Sequence, residues 1–299
     1  MLKKSSEFMD FESWITSSRE ELILEIKNNQ IFQKLNTKLN FSDQEIWNYF
    51  INIKEYIEGK TSKINKNKIW FLEISRNPRT NQLEFEYVLN KNDIANEFLL
   101  ENNFELASIS RPSEKEAFED IKIEEAKHFE LFEYRETWKK ATNTRKKVKL
   151  DFNLGLIVEG ELNSLRNKVL SSIAISFALK KYKVAYIDVN YLEDSLKATF
   201  NNTDNEMSQI IKRMSDVDVL LLTEIGFRTY NSWFIESVLI KVLENRLKNK
   251  KLTYIGSYYS LKDLDSIANT KDSRISKFAM RKLKEIINSL CNYKIWIGF

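Results

Sequence analysis

Five apolar runs in the second half of the chain, separated by stretches of helical period, constrain the fold more than any other feature. They are Gly155–Gly160, Val184–Val189, Val217–Gly226, Leu252–Tyr258 and Tyr293–Gly298. Runs this short and this uniformly apolar read as buried strands. Between them, Lys168–Lys180 places Val169, Ile173, Phe177 and Ala178 on one helical face, and residues from about Ser232 to Lys248 form a second helix. Strands alternating with helices predict an α/β fold, with a parallel five-stranded sheet and helices on both faces.

The first strand runs into a turn laid out like a phosphate-binding loop. Such loops read G-x-x-x-x-G-K-[ST]: backbone N–H groups wrap the phosphates, the lysine reaches the β/γ-phosphates and the hydroxyl holds Mg²⁺. In Gly160-Glu-Leu-Asn-Ser-Leu165-Arg166-Asn167 the first glycine is kept, and three chemical positions are replaced at unchanged spacing. Leu165 brings a Cβ where glycine commonly takes a conformation costly to other residues. Arg166 keeps the charge but exchanges a compact ammonium for a planar fork. Asn167 offers a carbonyl oxygen in place of a small hydroxyl. The nucleotide-binding candidates are Gly160, Asn163, Ser164, Arg166 and Asn167; the bland reading, better supported, is a strand-to-helix turn capped by Asn163 or Ser164. The third strand ends in Thr223-Glu224-Ile-Gly226, as a Walker B strand ends where its carboxylates approach Mg²⁺ and the attacking water. Thr223 replaces the first carboxylate there. Glu224 is then the candidate catalytic residue, or a strand-end carboxylate satisfied by a neighbouring lysine.

The order and wording of these segments resemble the bacterial replicative-helicase loaders of the DnaI/DnaC type, which are AAA+ proteins. Leu220–Gly226 looks like the family's Walker B, and Ser232–Arg246 resembles the helix after it. Ile255-Gly-Ser-Tyr258 stands at the sensor strand, with Tyr258 at the sensor Asn position. Ser110–Ile121 is similar to the lead-in before the core, and Ile26–Glu58 to the helical start of the N-terminal domain. The family's pattern of trans-acting arginines falls on Phe278 and Lys282, with Arg274 and Arg281 nearby but off register. The resemblance implies the replicative DNA helicase as partner, with single-stranded DNA and other primosome proteins, and ATP with Mg²⁺ as cofactor. Five weakened positions argue against efficient hydrolysis, because phosphoryl transfer depends on positioning and charge stabilisation. The expected function is therefore helicase loading on single-stranded DNA without ATP turnover. The alternatives are an active AAA+ ATPase using Arg166 and Glu224, and an interaction module without a replication role. Heavy use of Lys, Asn and Ile reads as A+T bias, as in wall-less bacteria, and the weakened motifs imply a degenerate family member.

The predicted division is a small α+β domain over 1–95 resembling the helicase-docking domain, a helical linker over 96–150 and a degenerate AAA+ core over 151–299. In the first part, Phe8 to Asn28 shows helical spacing of apolar residues, and Ser42-Asp-Gln-Glu45 opens a helix running to about Glu58 with a capping box. Lys68–Ile74 and Leu83–Val88 read as a β-hairpin. The resemblance implies a zinc-bound docking module, but the only cysteine is Cys291 and the only histidine His128, so no zinc or other metal site is expected. Trp47, Phe50, Trp70, Phe85 and Tyr87 are the candidate core that would hold it instead.

Net charge is only +4, yet Lys139, Lys140, Arg145, Lys146 and Lys147 crowd the segment before the first core strand. They are DNA-binding candidates together with exposed Tyr134 or Trp138, against the bland reading of a solvated linker and helix end. No apolar run reaches the ~18 residues of a membrane span, and the start Met-Leu-Lys-Lys-Ser-Ser-Glu lacks the form of a signal peptide. A cytoplasmic protein with no membrane partner is expected.

Overall fold

Short helices with carefully capped ends build the N-terminal unit. In the computed structural model, which describes residues 18–61, 68–143, 149–162, 164–198, 205–268 and 277–298, the chain divides into Met1–Phe98 and Leu99–Phe299. Helix α1 covers 18–28. Helix α2 (Gln30–Leu39) starts where the Asn29 side chain accepts from the N–H groups of Ile31 and Phe32, satisfying two orphan donors. The capping box predicted at Ser42 is present and opens α3 (Asp43–Asn48). The single helix expected to Glu58 breaks at Tyr49, whose φ of −114° leaves the helical region, and resumes as α4 (Phe50–Thr61). Strands β1 (Trp70–Arg76) and β2 (Leu83–Leu89) pair antiparallel, with Ile74 opposite Phe85 and Arg76 opposite Leu83.

The core of this unit is mostly aliphatic, and its aromatic members are Phe32 and Phe41, not the residues expected. Ile23, Ile26, Phe32, Leu35, Ile46, Ile53, Ile57 and Ile74 fill it, while Trp47, Phe50 and Phe85 are only partly buried against it. Trp70 and Tyr87 are exposed. Tyr87 stays outside because its hydroxyl reaches the Glu55 carboxylate, a partner that only a surface ring can keep together with water. Arg76 is the polar fastening. Its Nε donates to the Leu39 carbonyl at 2.7 Å, and Nη1 donates to Glu45 Oε1 at 2.8 Å and to the Asn81 carbonyl at 2.6 Å. Nη2 adds Glu45 Oε2 at 3.2 Å. One guanidinium thus ties the end of α2, the start of α3 and the hairpin loop together through a bidentate ion pair.

Helix α5 (Asp93–Asn103) crosses the division at Phe98, and the second unit continues with a two-residue strand β3 (Phe104–Glu105), α6 (Phe129–Thr142), β4 (Leu156–Gly160), α7 (Arg166–Leu179), β5 (Val184–Asp188), α8 (Val189–Ala198), α9 (Asn205–Asp216) and β6 (Val219–Ile225). A π-helical segment Phe234–Ile240 runs into α10 (Lys241–Lys248), followed by β7 (Leu252–Ser257), α11 (Lys277–Leu290) and β8 (Tyr293–Ile297). The strands form one sheet in the order β3-β5-β6-β7-β4-β8, every neighbouring pair parallel. Among the described residues the sheet therefore has six strands rather than the five expected. The addition, β3, pairs only Phe104 with Val184 and Glu105 with Ala185, too short to show any periodicity.

Alternation along the strands divides the interior into two layers. Ile157, Ile187, Leu220, Leu222 and Ile255 face α8 to α11. Leu156, Val158, Tyr186, Leu221 and Tyr254 face α6 and α7. Helix α7 was expected to bury one face, but it is buried from Val169 to Ala178, serines included. It lies between the sheet and the segment ahead of α6: the Phe118 N–H donates to Ser176 Oγ at 2.7 Å, and the Asn103 side chain donates to the Ala178 carbonyl at 3.0 Å. Tyr134 and Trp138 of α6 are also in this layer. The Tyr134 hydroxyl donates to the Leu154 carbonyl, and the Trp138 indole donates to the Tyr254 hydroxyl. Among the described residues no helix is long and apolar enough to cross a membrane.

Candidate functional site at the ends of β4, β6 and β7

A parallel sheet brings the carboxyl ends of its strands to one edge, where loops can gather side chains into a site. Here the gathering side chain is Arg166, the first residue of α7, and it is only 2% exposed. It folds back over the loop: Nη1 donates to the Gly160 carbonyl at 2.7 Å, and Nη2 donates to Glu224 Oε1 at 3.2 Å. Its guanidinium carbon lies 3.8 Å from the ring centroid of Tyr258. The Tyr258 hydroxyl closes the cluster by donating to Glu224 Oε2. A cation at the start of a helix opposes the helix dipole, and the carboxylate and the π-face offset that. Arg166 Nε remains buried with no partner among the described residues. The Tyr258 phenol is pushed up, first by burial and then by its bond to Glu224.

Glu224 reaches this position because the strand is irregular there. The β6–β7 register shifts between Leu222 and Ile225, as in a bulge that re-aims one side chain. The Glu224 backbone is left-handed, with φ of 61°, a rare state for a residue with a Cβ and one that costs of order 1–3 kcal/mol. Its carbonyl is held by the Tyr230 hydroxyl at 3.3 Å and the Asn190 amide at 3.4 Å. Asn190 also donates through its backbone and side chain to Asp188 Oδ1. Burial pushes the Asp188 carboxyl up, and the Glu224 charge adds to the effect. Asp188, Asn190 and Tyr230 were missed in the sequence. Only Asp188 left a signal, as an acid ending a buried strand.

The other candidates fall as follows. Gly160 ends β4, and a Cβ there would lie 2.5 Å from the Ile297 carbonyl oxygen and 2.8 Å from Ser164 Oγ. Ser164 Oγ accepts from the Arg166 N–H at 3.4 Å, a long contact, and the N-cap proper is Leu165, without a side-chain cap. Leu165 has an ordinary φ of −67°, so the expected strain at the lost glycine is absent. Asn167 is exposed. Asn163, Arg274, Arg145, Lys146 and Lys147 lie outside the described residues. Of the trans-arginine candidates, Lys282 pairs with Glu244 at 2.9 Å and Arg281 with Glu285 at 3.1 Å. Lys139 pairs with Glu136 at 3.1 Å and Lys140 is exposed. The aromatic residues named with them for DNA contact are inside the protein, Tyr134 at 2% and Trp138 at 0% exposure. The partner of Glu224 is an arginine from the loop itself, not a lysine.

The Arg166 guanidinium folds back onto the Gly160 carbonyl, and Glu224, the acid near the end of β6, is paired with it. Thr223 is buried, its hydroxyl on the Ile187 carbonyl at 3.3 Å. Among the described residues no group of three or more acidic, histidine or cysteine side chains could hold a metal ion.

Similarity to known proteins follows the fold. The crystal structure of DnaI superposes with a TM-score of 0.52 at 18% identity, covering 66% of this chain and 99% of that one. Over that part the chain has the fold of DnaI. In sequence it is 24% identical over 147 residues to the replicative helicase loader DnaI of Bacillus subtilis, covering 49% of this chain and 45% of DnaI. It is 27% identical over 95 residues to the replicative helicase loader DnaC of Escherichia coli, covering 32% of this chain and 38% of DnaC. The chain thus spans less than half the length of the curated relatives it matches. No family model matches it.

Proposed function

We propose that this chain is a helicase-loader-like replication protein that binds the replicative DNA helicase and assists its loading on single-stranded DNA without hydrolysing ATP. The similarity to DnaI and DnaC supports the loader role. The observation that carries nucleotide independence is the closed cluster of Arg166, Glu224 and Tyr258. Phosphoryl transfer needs a cation free to follow the γ-phosphate and a carboxylate free to order metal and water. In this reading neither is free, so the AAA+ unit serves as a rigid scaffold and ATP and Mg²⁺ are dispensable. The N-terminal unit is the part that meets the helicase, and other primosome proteins join through the same assembly.

Light scattering on size-exclusion fractions of the protein mixed with the replicative helicase of the same cell tests this reading, with and without ATP. A complex that co-elutes equally in both conditions is expected. A complex that forms only with ATP would reopen the loop as a nucleotide site, and no complex in either condition overturns the loader reading.

A further inference from the structure

The opposite edge of the same sheet, where the strands begin, gathers lysines that the site above does not use. Three of the segments leading into strands carry them: Lys149 before β4, Lys181 and Lys183 before β5, and Lys250 and Lys251 before β7. At the carboxyl edge the turns 160–164, 189–191, 226–230 and 258–262 hold only Arg228 and Lys262 as basic residues. The amino-edge segments also carry Asp151, Asp216 and Asp218, and the five lysines leave the edge net positive.

The edge is a fixed platform. Beneath it the fully buried Arg246 donates to the carbonyls of Met214 at 2.9 Å, Val217 at 3.0 Å and Leu252 at 2.6 Å, and to Thr253 Oγ1 at 3.0 Å. Lys251 Nζ reaches the Asp216 carbonyl at 3.0 Å, and the Asp218 carboxylate accepts from the Lys183 N–H at 3.0 Å. Lys149, Lys181 and Lys250 are exposed and make no ion pair among the described residues. A cavity of about 370 Å³ lies between Lys149, Lys250, Lys251, Tyr182 and Asp218. Lys181 and Lys250 take left-handed φ of 66° and 49°, at helix ends where glycine is the usual occupant. The last turn of α6 joins the same edge, since Lys180 Nζ donates to Thr142 Oγ1 at 3.3 Å.

No exposed aromatic residue lies in these turns; Tyr182, the ring nearest the cavity, is 5% exposed. Surfaces that hold single strands combine charge with rings for the bases to stack on. Lysines without rings match phosphates alone, which a duplex presents at the higher density.

We propose that the amino edge of the sheet is a docking surface for the phosphate backbone of duplex DNA, separate from any single strand handled during loading. The choice of DNA among polyanions rests on the reading of the chain as a replication protein. The test reads DNA directly, so its failure leaves helicase co-elution untouched.

Fluorescence anisotropy of the full chain with a labelled duplex, and with one of its strands, between about 50 and 200 mM salt decides the matter. The triple variant Lys149→Gln/Lys181→Asn/Lys250→Asn removes the charge while giving the two left-handed positions a residue that tolerates them. A second variant, Lys149→Gln/Lys183→Gln/Lys251→Gln, keeps both left-handed residues. The expected result is duplex binding at least as tight as single-strand binding. Each variant should weaken it at least tenfold and flatten the log–log salt slope by about 3. Lys262→Gln, at the carboxyl edge, should bind as the parent does. Absence of duplex binding, clear preference for the single strand, or variants that bind like the parent would overturn the proposal.

Discussion

Glu224 Oε1 accepts from Arg166 Nη2 at 3.2 Å across 58 residues of sequence, with Arg166 side-chain exposure of 2% and Glu224 of 15%. Arg166 has no room to exchange its partner for water, and Glu224 has little. Removing one member strands the other, which costs about 3–5 kcal/mol for a buried pair. Arg166→Met alone should therefore lower stability by about 3 kcal/mol. Arg166→Met with Glu224→Gln should fall well short of the two single losses added together. A double-mutant cycle by urea unfolding measures the coupling, and additive losses would mean the contact is idle.

Arg246 makes a sharper case, because every acceptor around it is a backbone carbonyl or a buried hydroxyl. Lysine cannot reproduce the fork that serves Met214, Val217 and Leu252 together. Arg246→Lys should destabilise by about 2–3 kcal/mol, and Arg246→Met by more, since it leaves several carbonyls unsatisfied. Chemical denaturation of both variants gives the order, and equal stability would exclude the clamp.

Gly155 and Gly256 should respond differently to alanine. At Gly155 the new Cβ would lie 1.9 Å from the Leu290 carbonyl oxygen and 3.2 Å from that of Thr253, so backbone must move. At Gly256 the short contact is 2.5 Å to Leu170 Cδ1, the end of a side chain that can turn. We expect Gly155→Ala to cost about 3 kcal/mol or more and Gly256→Ala about 1–2 kcal/mol. Thermal melts of the two variants side by side check the ranking.

The N-terminal unit should weaken in acid through Glu45. Its hydrogen bonds to the Arg76 guanidinium hold the carboxyl down from 4.5 to about 2. A depressed carboxyl contributes stability that is full above pH 4.5 and lost as pH falls through about 2. Because the pair is partly solvated, the contribution is about 1 kcal/mol. Hydrogen exchange of residues 18–98 across that window should show the loss, and Glu45→Gln should abolish the pH dependence. An unchanged profile in the variant would sink the assignment.

The sheet was legible because its central strands are buried on both faces and so written as unbroken apolar runs, as in Val219 to Leu222 and Val184 to Ile187. The capping box at Ser42 was legible for a similar reason, since all its parts lie within four residues. β3 was not, since two residues have no period. The closed site was half legible: its residues could be named, but where the Arg166 side chain goes depends on Glu224 and Tyr258, remote in sequence. The burial of Trp138 and the exposure of Tyr87 were likewise decided by distant acceptors, Tyr254 and Glu55.

Arg76 carries a consequence of supply. The fastening comes from a side chain the protein itself supplies, and residues 18–98 hold neither the chain's one cysteine nor its one histidine. A change at that one codon loosens the end of α2, the start of α3 and the hairpin loop together.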